Sequence, residues 1–227
     1  VLVLLAQALA APPLPQVAGE GFAVSLAASA SQTVDDLVDT ECADGGNCSA
    51  KRSRGGWGGT LALQVTPLLG AWLHAGSETV QVAQAEFNGE GFSADGGVLL
   101  NFRAKQEVGA MVWLGGLYGY AESGGTNNGR RWGIRPGGAA RFGQPDQEFV
   151  SWVGAELAIT GEDDLVLLDR ELTVPLAAPV PVSVVAGFTL LGASLRGPGT
   201  ESPRLFLATD GAIGAETAIR VSLGSSF

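Results

Sequence analysis

His74 is the only histidine in the chain, and Ser77 and Glu78 follow closely behind it. The first chemistry to consider is therefore hydrolysis by a serine nucleophile, a histidine base and an orienting acid. Such a set must converge on one point. On an extended strand His74 and Glu78 share a face while Ser77 points the other way, so the local arrangement is geometrically wrong for a triad. A lipid-modifying enzyme would need a serine from another strand, and it is the least favoured of the alternatives below. The expectation is no enzymatic activity, with His74 an interior or rim residue.

Metal chemistry fares no better. Asp35, Asp36, Asp39, Glu41 and Asp44, and later Glu162, Asp163 and Asp164, offer oxygen ligands of the kind calcium takes. The ordered EF-hand spacing, with its glycine and distal glutamate, is absent, so these acids read as solvated loop faces. Cys42 and Cys48 are the only two cysteines, and without nearby histidines they do not make a metal site. In an oxidising compartment the two would pair, pinning the tip of the first loop. Asn47-Cys48-Ser49 matches a glycosylation sequon, a pattern short enough to arise by chance. No cofactor and no metal is expected.

A different set of polar residues has a clearer logic. Arg103, Arg135, Arg141, Glu156, Glu216 and Arg220 each fall on the strand face opposite an apolar one. Side chains alternate between faces on a strand, so a run of period two has one apolar and one polar side. From Ile213 the odd positions are largely apolar, while the even ones are small or charged. Trp57 to Val65, Phe92 to Phe102, Val108 to Tyr120, Trp132 to Phe142, Phe149 to Ile159 and Val182 to Leu190 alternate in the same way.

The bulk composition says what those strands face. Of the 227 residues 34 are glycine, 46% are hydrophobic and only 16% are charged, below the quarter or so usual in soluble domains. Mean hydropathy is above zero. Yet beyond the N-terminus the longest apolar stretch, Val174 to Phe188, is interrupted by Pro175, Pro179 and Pro181, which a spanning helix would not tolerate easily. Hydrophobicity spread thinly on alternate residues suits a transmembrane β-barrel with lipid outside and a polar, glycine-rich interior. The net charge of −10 argues against nucleic acid.

The connections fit that picture. The odd links are long and polar, roughly 33–54, 86–91, 122–131, 161–164 and 196–203. The even links are short: 67–70, 104–107, 144–147 and 178–181. Ten antiparallel strands with both termini in the periplasm result, with eight as the alternative. Three stretches fit poorly: 71–84 around His74, 165–174 with Asp169, Arg170 and Glu171, and the long run from Arg204. The last reads as one long strand with a bulge near Asp210-Gly211. Trp57, Phe92, Tyr118, Tyr120, Trp132, Phe142 and Phe149 lie near strand ends on the apolar register, where interfacial girdles would sit.

The first residues, VLVLLAQALAAPPLP, combine an apolar run, the small-x-small pattern Ala8-Leu9-Ala10 and then prolines. They read as a signal peptide over 1–10, without its charged start, then a short periplasmic lead-in over 11–20 and a barrel over 21–227.

The last residues, TAIRVSLGSSF, resemble the bacterial outer-membrane β-barrel proteins as a class. Those chains end in an alternating strand with a terminal aromatic that the barrel assembly machinery recognises, and Ile219, Val221, Leu223 and Phe227 match it; Ser225 departs from the pattern. The chain looks like the small barrels of the OmpA, OmpX or OmpW type. The resemblance implies a bacterial outer-membrane location, with outer-membrane lipid and the assembly machinery as partners.

The function expected is a monomeric barrel with a structural or surface-interaction role and at most slight pore activity. Its lumen charges would form a packed, hydrogen-bonded plug. Three alternatives stand beside it: a small-solute channel whose arginines make a basic constriction favouring anions, a soluble exported ligand-binding barrel, and the enzyme considered first.

Overall fold

A computed structural model describes residues 22–33, 36–41, 47–82, 87–103, 106–123, 127–144, 147–167, 172–174, 182–194, 203–214 and 217–227. The strands are β1 (Ala23–Thr33), β2 (Asp36–Glu41), β3 (Asn47–Gln64), β4 (Leu69–Val82), β5 (Phe87–Phe102), β6 (Val108–Ser123), β7 (Asn127–Phe142), β8 (Phe149–Leu157), β9 (Ile159–Leu167), β10 (Leu172–Val174), β11 (Val182–Ser194), β12 (Arg204–Ile213) and β13 (Ala218–Ser226). No helix among the described residues is long and apolar enough to cross a membrane; the crossing is by strands.

All pairings are antiparallel. The wall runs β1, β3, β4, β5, β6, β7, β8, β11, β12 and β13, and closes when β13 pairs with β1. Ten strands therefore make a closed barrel, which removes every edge from the membrane-embedded wall. The closing seam ends in a clasp. Val24 N–H donates to Phe227 O at 3.1 Å, and Phe227 N–H donates to Val24 O at 2.8 Å.

The ten-strand count departs from the eight-stranded OmpA/OmpX/OmpW-like barrels to which the sequence was likened. The strands are also drawn from the chain differently at its C-terminal end. The segment from Arg204 is two strands, because the chain reverses after Ile213 and Gly214 takes φ +140° there. Residues 161–164 belong to β9, and 172–174 pair back onto β9 above the wall. β11 ends and β12 begins at the end of the barrel that holds the described ends of β1 and β13, Ala23 and Ser226, opposite to the end expected for the link at 196–203. The described ends of the barrel therefore do not follow a strict long-outside, short-inside rule.

Above the wall the barrel is uneven. β11, β12 and β13 stop low, whereas β3 to β7 continue upward, with β2 paired to β3 and β9 paired to β7. β10 comes beside β2 over the low side without pairing to it.

Cys48 lies opposite Thr40, and Asn47 lies opposite Glu41. That register is why the expected Cys42–Cys48 disulfide is not present: the residue across from Cys48 is Thr40, not a cysteine. Cys42 itself lies outside the described residues, as do the expected signal peptide at 1–10 and the lead-in at 11–20.

The exterior is apolar. Leu61, Leu73, Val98, Leu114, Ile134, Val153, Val184, Leu207, Val221 and Leu223 are all exposed on the outer face. Trp57, Phe92, Tyr118 and Trp132 rim this belt above, and Phe22, Phe102, Phe142, Phe149 and Phe227 rim it below. The rings of Phe92 and Tyr118 meet at 5.6 Å, and those of Phe149 and Phe188 at 5.9 Å. At about 3.3 Å per residue and a tilt near 40°, the run from Phe92 to Phe102 spans roughly 25 Å, the height of an outer-membrane barrel's apolar band. This is a membrane-embedded barrel of the outer-membrane type. A soluble barrel would turn that face inward, so the soluble ligand-binding alternative fails on the direction of the apolar side chains.

Candidate functional site: a filled lumen

The alternate residues of each strand project into the barrel, and they are buried there. The lowest layer is aromatic. Trp72 on β4, Trp113 on β6, Trp152 on β8 and Phe206 on β12 all point inward, and the three indoles cluster with Leu99, Met111 and Val185. Each ring lies over a glycine directly across from it on the next strand: Trp72 over Gly97, Trp113 over Gly137, Trp152 over Gly187 and Phe206 over Gly224. A Cβ at Gly97 would fall 2.5 Å from Cη2 of Trp72, and one at Gly187 2.7 Å from Cζ2 of Trp152. Only the missing side chain lets so large a ring lie flat against the wall of a narrow barrel.

Indole N–H groups need acceptors when buried, and the layer above provides them. Trp113 Nε1 donates to Glu156 Oε2 at 3.0 Å, and Trp72 Nε1 donates to Asp95 Oδ2 at 3.2 Å. Glu156 also pairs with Arg135 through its other oxygen. Arg220, 2% exposed, grips Asp210 from the neighbouring strand: Nε reaches both carboxylate oxygens at 3.1 Å and Nη2 reaches Oδ2 at 2.9 Å. His74 sits beside Asp95 in the register, and its Nδ1 lies 2.8 Å from Thr60 Oγ1 and 3.4 Å from Ser29 Oγ. Near the upper rim Arg54 and Glu78 approach to 3.9 Å.

Of the six charges expected to line the lumen, Arg135, Glu156 and Arg220 lie within this polar layer. Arg141 is buried but does other work. It holds the carbonyls of the periplasmic turns, donating to Gly143 O, to Arg103 O at 3.1 Å and to Gln106 O at 3.3 Å. Arg103 is not in the lumen: it is exposed in the turn after β5, with φ +55°. Glu216 lies outside the described residues. The outward residues of the terminal strand, Ile219, Val221, Leu223 and Phe227, all face lipid.

The sequence reading missed four participants. Arg54 falls within the expected loop at 33–54, yet it is part of a strand because β3 rises well above the membrane. Asp210 falls at the expected bulge, but it is the in-register partner of Arg220. Glu78 and Asp95 carried no local signal of their partners; only the facing strand shows them.

Arg54, Arg135 and Arg220 each face a carboxylate, whereas Arg141 is held by backbone carbonyls. His74 meets hydroxyls of Thr60 and Ser29, while Glu78 beyond it pairs with Arg54. Among the described residues no group of three His, Cys, Asp or Glu side chains could hold a metal ion.

No protein-family model matches the chain, and no curated protein matches it. Among solved structures it is similar to the transport unit of the autotransporter AIDA-I from Escherichia coli, with a TM-score of 0.47 and 10% identity, covering 95% of this chain and 92% of that one. It is also similar to the COG4313 outer membrane channel from Pseudomonas putida F1, with a TM-score of 0.37 and 11% identity, covering 95% of this chain and 98% of that one.

Proposed function

We propose that this chain is an outer-membrane barrel with a structural or surface-interaction role, closed to bulk solutes by its own side chains. The observation that carries this reading is the burial of the lumen's Arg135, Glu156, Asp210 and Arg220 together with Trp72, Trp113 and Trp152. A water-filled pore would leave such groups wet. Here the charges are paired, Arg135 with Glu156 and Arg220 with Asp210, which is how a narrow barrel tolerates charge at membrane depth.

Slight pore activity is the finer part of the proposal. A void of about 20 Å³ lies among Ser25, Thr60, Trp152, Phe206, Asp210 and Ser222. That is room for a water molecule and little more. The role of the terminal strand in recruiting the assembly machinery, the monomeric state and the absence of catalysis belong to the same proposal.

The test is conductance in planar bilayers with protein shown by heat-modifiability to be folded. The expected record has no large, long-lived steps. Regular steps of porin size from the unaltered protein would replace this reading with the small-solute channel.

A further inference from the structure

We propose that the outer wall formed by β1, β3, β4 and β5, just above the aromatic girdle, is a binding site for the saccharide headgroup of an outer-leaflet glycolipid. A cavity of about 430 Å³ opens there, within the size range of small-molecule sites. The strand register sets its floor: Gln32, Gly55, Thr79 and Glu90 stand in one row across the four strands. Gly55 leaves the middle of that row without a side chain. Ser53 and Gln81 pair in the row above, and Trp57 and Ser77 pair in the row below. On β3 and β4 the lumen-facing residues are the even-numbered ones, Arg54, Thr60, Ala62, Trp72, His74 and Glu78 among them, so these odd-numbered residues of both strands face outward.

The chemistry is that of a polyol receptor. The side chains facing outward are amides, hydroxyls and one carboxylate, which donate to and accept from hydroxyl groups without needing a charge on the ligand. Trp57, 64% exposed, supplies an apolar ring at the lower edge, where the C–H face of a sugar would lie. The one cation among the lining residues, Arg54, projects inward and pairs with Glu78, so none of the outward lining residues offers a phosphate a positive charge. The neighbouring sector is different: above Tyr118 the wall carries Glu122, and Arg130 sits 5.9 Å over the Tyr120 ring.

Height selects the source of the saccharide. Trp57 belongs to the upper girdle, so the rows above it stand where the first sugars of an outer-leaflet glycolipid begin. The acyl chains of the same molecule would lie against Leu61 and Leu73 below, both exposed.

The experiment titrates the folded, detergent-solubilised full chain with rough-type lipopolysaccharide, then with the free saccharide cleaved from it, and then with phosphatidylglycerol. Saturable binding of the glycolipid, with competition by the free saccharide at higher concentration, is the expected result. The double variant Thr79→Val/Gln81→Leu should weaken it by about tenfold or more, the loss of two hydrogen bonds of ordinary net strength. Both residues face outward, so the variant keeps its heat-modifiability if the barrel is intact; Gly55→Phe, which fills the hollow, gives a second, independent loss. Unchanged affinity in both variants overturns the site. So does equal binding of phosphatidylglycerol, or failure of the free saccharide to compete. Equal affinity for free saccharide and glycolipid would keep the saccharide chemistry and overturn its lipid-borne source.

Discussion

Asp210 and Arg220 stand directly opposite each other on β12 and β13, and the guanidinium holds both oxygens of the carboxylate inside the barrel. Neither charge can leave without stranding the other. Asp210→Ala is therefore expected to lower unfolding free energy by roughly 3–5 kcal/mol, the usual cost of breaking a buried pair. The paired change Asp210→Leu with Arg220→Met should recover most of that loss. Denaturant unfolding of the refolded barrel, followed by tryptophan fluorescence, measures both; an unshifted midpoint for Asp210→Ala would show that the pair contributes nothing.

The ring-on-glycine contacts predict a position-specific sensitivity to a single methyl group. At Gly137 a Cβ would run into the Trp113 indole, and at Gly97 it would meet the Trp72 indole and the backbone of β6. Gly137→Ala should destabilise by about 1–3 kcal/mol, as overpacking does. Gly116 faces outward, and a Cβ there meets nothing nearer than Gly133 O at 3.8 Å. Gly116→Ala should be neutral, or stabilising by up to about 1 kcal/mol through the unfolded chain. Equal effects at the two sites would mean that the rings do not need the glycines.

Conductance separates the two halves of the plug. Replacing Trp113 and Trp152 together with alanine removes two rings of the aromatic layer, and the proposed closure predicts that steps absent in the parent protein then appear in bilayers. Silence in a folded double variant would place the seal in the polar layer instead, where Glu156→Ala with Arg135→Ala is the next measurement.

Phe227 is 61% exposed, and its described bonds to Val24 are made by backbone atoms. Phe227→Ser should then still refold in vitro, with its stability lowered only by the loss of one ring from the lipid interface, about 1–3 kcal/mol. In cells the same change should sharply reduce the heat-modifiable fraction, if the terminal ring is read during assembly. Equal loss in both settings would make Phe227 a packing residue only.

Much of the barrel was legible in the sequence because lipid is a one-sided solvent: wherever a strand crosses it, alternate residues must be apolar. Leu61, Val98, Ile134 and Val221 all obey this rule, and all were assigned to the outer face. The rule weakens where the chain leaves the bilayer or where the interior is itself greasy. Around His74 the pattern looked disordered because inward Trp72 and Val80 are apolar while outward Ser77, Thr79 and Gln81 are polar; the reversal marks the climb from lipid into headgroups. The turn after Ile213 was hidden because Asp210 looked like a polar interruption, though it is a lumen residue with a partner across the hairpin. The plug was half visible for a related reason. A strand announces which side chains go inward, but which of them meet depends on register, and register is set by the neighbouring strand.

The glycine beneath each inward ring recurs with the hairpin rather than with the strand. β4 with β5, β6 with β7 and β12 with β13 are consecutive strands that each bring one ring and one facing glycine, and β8 with β11, which have β9 and β10 between them in the chain, bring the fourth. Each such pair thus carries its own alignment key, since sliding one strand by two residues, the step that keeps its lumen face inward, would bring a side chain under the ring. It follows that the molecule can be lengthened around its circumference only in whole modules. A duplicated hairpin would arrive with its key already cut, whereas a single added strand would leave a ring with nothing flat to rest on.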